Sequence, residues 1–167
     1  MVARPSFNSM YLKYQEFRGD PHPISGVSSQ CAVRMSMSLS VVGLYSYKRF
    51  KSVVPDGATK EGWSIRAEEL YQYLRHSSVL GPADLVPPSE LWNKYGIVYL
   101  RNCWMRDGES EKGRSGDHFD LLYPQADGRP TILSARFYPA DVSNSIIDFC
   151  RDGKARFWEC PSGMAGF

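Results

Sequence analysis

Cys31 heads the helix predicted from the run Ser29-Gln30-Cys31-Ala32-Val33-Arg34-Met35-Ser36, directly after a segment rich in Pro, Gly and Ser. A thiol in the first turn of a helix sits where unpaired backbone N–H groups and the positive end of the dipole favour its anionic form. The thiolate is the nucleophilic species, so the placement suits covalent attack on an acyl carbon. That chemistry needs an imidazole within hydrogen-bond reach and a group that orients the ring. The chain has three histidines. His22 lies between Pro21 and Pro23 in an extended segment. His76 ends a predicted helix, where its ring complements the carbonyl end without a further role. His118 enters a predicted strand behind a glycine-containing loop, a rigid and partly exposed position suited to a base. Cys31 and His118 together read as the working pair of a cysteine hydrolase.

Two carboxylates are candidates for the orienting group. Asp120 lies two residues beyond His118, so both side chains leave the same face of the strand. Asp127 lies in the following turn and is able to fold back toward the ring. Either would hold the tautomer and stabilise the imidazolium. Among the other cysteines, Cys103 falls inside an apolar strand and reads as a small core residue. Cys150 and Cys160 read as two thiols, with a disulfide between them as the alternative in an oxidising compartment. No Cys-x-x-Cys pair occurs and the histidines are far apart, so neither a metal site nor a cofactor is expected.

Helical spacing covers Pro5–Phe17 and Cys31–Val42, the second stopped by Gly43. Gly19–Gln30 is a loop, and Tyr45–Gly62 reads as irregular with at most a short strand. Ser64 reads as the N-cap of a helix Ile65–His76, with Glu68 and Glu69 early and Arg75 late. Pro87-Pro88-Ser89 opens a short helix Glu90–Lys94. Strands are predicted at Ile97–Cys103, His118–Tyr123, Thr131–Phe137 and Ala155–Cys160, with a polar loop Met105–Asp117, a turn Pro124–Pro130 containing Asp127-Gly128, and a helix Asp141–Cys150. Helices first and strands after indicate an α+β fold with a mainly antiparallel sheet.

The 167 residues, 43% hydrophobic and 13% aromatic, suit one domain spanning 1–167 with a proper core. The net charge of +2 and the lack of a basic run argue against nucleic acid as a ligand. No apolar run approaches the roughly 20 residues of a membrane span. Met1–Phe17 mixes Arg4, Asn8, Lys13 and Glu16 with aromatics and lacks the apolar core of a signal peptide, so residence in the cytoplasm or export without a cleaved signal is expected.

Several segments, in order along the chain, resemble the fourth amidase-effector family of bacterial type VI secretion systems. They are Arg4-Pro5-Ser6-Phe7-Asn8, Gln30-Cys31-Ala32-Val33-Arg34-Met35-Ser36, Ile65-Arg66-Ala67-Glu68-Glu69-Leu70, Tyr95-Gly96-Ile97-Val98-Tyr99, Gly116-Asp117-His118-Phe119-Asp120-Leu121 and Phe157-Trp158-Glu159. The resemblance implies a papain-like fold of the NlpC/P60 kind, with N-terminal helices packed on the sheet. It implies a secreted antibacterial toxin, a cysteine amidase that cuts the γ-D-glutamyl–meso-diaminopimelate bond of peptidoglycan stem peptides. Cys31 matches the family nucleophile and His118 its base. The family's third residue is an aspartate about a dozen positions after the histidine; that place falls near Arg129, so Asp120 or Asp127 must substitute. The implied route runs from the producer's cytoplasm, through the secretion apparatus, into the target periplasm. The implied partner is a cognate immunity protein that plugs the cleft; the loop Met105–Asp117, bordering His118, reads as one cleft wall and part of that contact, with a solvated loop as the alternative. Arg114 is a candidate attractor of stem-peptide carboxylates against the plainer reading of a solvated arginine. Two other readings stand beside this one: a housekeeping NlpC/P60-type hydrolase or general cysteine peptidase, and a non-enzymatic wall- or protein-binding module with Cys31 as a core thiol.

Overall fold

The structure is a computed structural model that describes residues 4–20, 22–27, 30–104, 108–113, 115–134 and 154–161. The chain divides into two compact units, Met1–Pro82 with Cys160–Phe167, and Ala83–Glu159.

In the first unit, α1 (Phe7–Gln15) buries Phe7, Met10, Tyr11 and Tyr14, and a 3-10 turn Glu16–Arg18 extends it to bury Phe17. The spacing of these residues is the helical stripe expected for one core-facing side. Helix α2 (Cys31–Ser40) is buried nearly all round, from Cys31 through Ser36 and again at Ser38 and Leu39. Its buried serines stay satisfied because Ser36 Oγ donates to the Val33 carbonyl and Ser38 Oγ to the Arg34 carbonyl, each at 2.9 Å. Beyond the helix Gly43 takes φ +70°, and Leu44 N–H returns to the Leu39 carbonyl at 3.0 Å.

The segment read as irregular holds a helix, α3 (Tyr47–Val53), capped by Ser46 Oγ, which accepts from Arg49 N–H at 3.3 Å. Its brevity leaves one buried residue, Phe50, and so no periodicity to read. A hairpin follows, β1 (Thr59–Lys60) with β2 (Trp63–Ser64), whose turn residues Glu61 and Gly62 both have positive φ. Ser64 therefore belongs to a strand and is not an N-cap; α4 (Ala67–Leu74) starts later, with Arg66 in the cap position. Tyr45, Phe50, Trp63 and Tyr73 form a ring cluster beneath these elements.

The second unit is a five-stranded antiparallel sheet. Its strands are β3 (Asp84–Val86), β4 (Gly96–Trp104), β5 (Gly116–Pro124), β6 (Pro130–Ile132) and β7 (Ala155–Glu159), in the order β3-β7-β4-β5-β6. A 3-10 turn Pro88–Leu91 stands where a helix Glu90–Lys94 was expected. Val98, Leu100, Leu122, Ile132, Ala155 and Phe157 join one apolar cluster. Tyr99 and Trp158 contact the ring of Phe119. Strand β6 ends at Ile132, short of the predicted Phe137, because Leu133 and Ser134 turn helical. The predicted helix Asp141–Cys150 and the end of that predicted strand lie outside the described residues, as does Arg114.

Between Leu100 and Trp104, β4 slips register against β5, with Asn102 in the left-handed region at φ +55°. Asp117 braces this bulge, accepting from Asn102 N–H at 2.9 Å and from the Tyr99 hydroxyl at 2.7 Å. Cys103 is buried in the apolar cluster as expected, and it is disulfide-bonded; Cys31 and Cys160 carry thiols, and Cys150 lies outside the described residues. No helix among the described residues is long and apolar enough to cross a membrane.

Candidate active site

Strand alternation puts His118 and Asp120 on one face of β5, and the two side chains meet. His118 Nε2 lies 2.9 Å from Asp120 Oδ2, with His118 4% and Asp120 0% exposed. The histidine is thus buried, where the sequence suggested partial exposure. Its neighbours across the ladder are aliphatic: Leu100 stands opposite His118 and Val98 opposite Asp120.

A third residue joins them that the sequence reading missed. The β5–β6 register pairs Pro124 with Pro130, Tyr123 with Thr131 and Leu122 with Ile132. Continued by two residues, it sets Ser134 opposite Asp120. Ser134 N–H reaches both carboxylate oxygens at 3.3 Å, and its hydroxyl donates to Oδ2. Leu121 N–H fills Oδ1 at 2.8 Å. Ser134 Oγ also lies 3.4 Å from His118 Nε2. The carboxylate only accepts, so the ring must present Nε2–H to it, which puts the basic lone pair on Nδ1.

Asp127 is not brought to the imidazole. It sits in the turn beyond the far end of β5, about 20 Å along the strand from His118 at the usual rise per residue. There it accepts from Arg129 N–H at 3.1 Å and from Arg129 Nε at 2.6 Å. Those two bonds, the backbone one foremost, hold its carboxyl below the ordinary range. The turn itself favours Gly128, whose φ is +86° and where a Cβ would fall 2.6 Å from Asn93 Oδ1.

In the first unit Cys31 is the first residue of α2 and is 4% exposed. The residue before it, Gln30, makes no side-chain cap. Its Nε2 instead donates to the carbonyls of Ile24 at 2.6 Å and Val27 at 2.9 Å, tying the preceding loop to the helix start. Nothing in the local sequence pattern announces this tie. The other histidines have different company: His76 Nδ1 pairs with Ser78 Oγ at 2.8 Å in an exposed setting, and exposed His22 uses its backbone N–H toward Asp20. Among the described residues, no group of three or more His, Cys, Asp or Glu side chains gathers as a cation would require.

Residues 27–158 match the profile of a family described as type VI secretion system (T6SS), amidase effector protein 4. The fold also matches solved structures. One is the effector Tae4 from Salmonella typhimurium in complex with the immunity Tai4 from Enterobacter cloacae. It is 17% identical with a TM-score of 0.54, over 95% of this chain and 100% of that one. Another is the type VI effector–immunity complex Tae4–Tai4 from Salmonella Typhimurium, 16% identical with a TM-score of 0.53, over 95% and 99% of the two chains. At such identities the likeness establishes the fold, a mixed α+β arrangement with an antiparallel sheet. No curated protein matches the chain.

Proposed function

The chain belongs to the type VI secretion system amidase effector 4 family, and from that membership we propose that it is an antibacterial amidase acting on the γ-D-glutamyl–meso-diaminopimelate bond of peptidoglycan stem peptides. In this reading the chain is one papain-like, NlpC/P60-type cysteine amidase domain. It acts in the periplasm of a target cell and is neutralised by an immunity protein, with part of Met105–Asp117 in that contact.

Cys31 is the proposed nucleophile, His118 the base and Asp120 the group that orients the ring. His118 Nδ1 takes the Cys31 proton, and the thiolate attacks the amide carbon. Backbone N–H groups in the first turn of α2, where intrahelical partners are lacking, hold the oxyanion. The imidazolium then protonates the leaving amine of diaminopimelate. Water, deprotonated by the same imidazole, releases the acyl group and restores the thiol. The reaction calls on no metal or organic cofactor.

The observation that carries this reading is the buried imidazole–carboxylate pair at 2.9 Å, within the family-matched region. A buried histidine paired with a carboxylate has the makings of an oriented general base. The test is digestion of purified peptidoglycan by the wild-type protein and by Cys31→Ala, with the fragments weighed. Wild type should release fragments ending in γ-D-glutamate, and the variant none while melting near the wild-type temperature. Cleavage by Cys31→Ala, or fragments ending elsewhere, would overturn the assignment.

A further inference from the structure

The serines within α2 and within α3 spend their hydroxyls on nearby backbone. Ser36, Ser38, Ser40 and Ser52 each donate to a carbonyl three or four residues earlier. Ser134 also sits in a helical turn and is 0% exposed, yet its hydroxyl goes to a carboxylate fourteen residues away in sequence. Its backbone N–H points to the same group, 3.3 Å from each oxygen. Without the hydroxyl, Oδ2 would keep His118 and a long N–H contact alone, and Leu121 N–H on Oδ1 would be the one short backbone bond left to resist a twist about the carboxylate's broad, soft terminal torsion.

We propose that Ser134 is a positioning residue of the amidase site, locking the Asp120 carboxylate in the orientation that keeps the His118 proton on Nε2. The proposal rests on the amidase reading for its consequence in turnover, but not for its geometry. Fixing that proton leaves Nδ1 as the base; a carboxylate free to rotate lets the ring exchange tautomers, and the fraction of sites ready to accept a proton falls. The substrate is untouched by Ser134, so KM should be indifferent to it.

The experiment is Ser134→Ala on the full chain, read in two ways. First, turnover of a purified stem peptide: kcat should fall roughly tenfold to a hundredfold, the scale of losing one hydrogen bond to a charged group, with KM within twofold. Second, ¹⁵N shifts of the His118 ring in a Cys31→Ala background: the Nε2–H tautomer should dominate there and lose population when Ser134→Ala is added. Ser134→Thr, which keeps the hydroxyl, should retain most of both signals. If Ser134→Ala does not fold, the isosteric pair Ser134→Thr and Ser134→Val asks the same question. An unmoved tautomer ratio sinks the proposal whatever the activity. A moved ratio in a chain that never cleaves peptidoglycan sinks the amidase reading and leaves the positioning role standing.

Discussion

Asp120→Asn asks the sharpest question of the site, because the surrounding donors dictate how the new amide must sit. Leu121 N–H, 2.8 Å from Oδ1, is a backbone donor that cannot turn away, whereas Ser134 N–H lies 3.3 Å from both oxygens and selects neither. The asparagine oxygen must stay on the Leu121 side, which turns its NH₂ toward His118. The imidazole then has to accept on Nε2 and carry its proton on Nδ1, the atom needed as base. Reversing the amide would set its NH₂ against Leu121 N–H and leave both of these buried donors unmatched, at about 1–3 kcal/mol each. The productive tautomer is therefore disfavoured by about 2–6 kcal/mol, and kcat should fall roughly 30-fold to 10⁴-fold. Stem-peptide turnover followed by mass spectrometry measures the loss, and ¹⁵N shifts of the ring measure the proton's position. Asp127→Asn, altering a carboxylate that serves its own turn, should leave turnover within twofold. Activity of Asp120→Asn within threefold of wild type would refute the reasoning, as would lost activity with the ring proton still on Nε2.

Gln30→Ala removes the two bonds to the Ile24 and Val27 carbonyls. Urea unfolding should show a loss of about 1–3 kcal/mol, with greater proteolytic cutting in the preceding loop; unchanged stability would mean the tie is idle. High pH should destabilise the chain, because burial raises the pKa of Tyr45 and Tyr73. Their protonated forms are favoured in the fold, so that stability is complete below about pH 10 and is lost as pH rises toward the folded values, by at most about 1.4 kcal/mol per tyrosine for each pH unit. Melting curves between pH 9 and about 11.5 should fall more gently for Tyr45→Phe than for wild type; parallel slopes would refute the attribution.

Much of the candidate site was legible because it obeys short-range rules. Period-two alternation announced that His118 and Asp120 share a face, and helical spacing with a glycine stop bracketed the Cys31 helix. Asp127-Gly128 marks its turn, but that turn stands most of a strand's length from His118, too far for its carboxylate to orient the ring. Ser134 escaped notice because it belongs to the site through register, a property of two strands and not of either. Its place follows from the turn Pro124–Pro130, because counting outward from the pair Pro124 and Pro130 sets Asp120 opposite Ser134. Helix α3 was too short for periodicity. Ser64 was an honest capping signal overruled by a hairpin that claimed it for a strand. Cys103 looked like any small apolar residue, and its disulfide has no local signature.

His118, Asp120 and Ser134 are carried by one hairpin and its immediate continuation, joined through Gln125–Arg129. Hairpins close in about 1–10 μs, far ahead of contacts between distant parts of a chain. The ring and its acceptor can thus be oriented early in folding, by a loop closure that needs no help from the thiol end of the sequence. The same economy ties the site to the hairpin's register: a one-residue slip of β6 along β5 would move the serine off its carboxylate, whereas a residue looped out between Gln125 and Arg129 would leave the pairing intact.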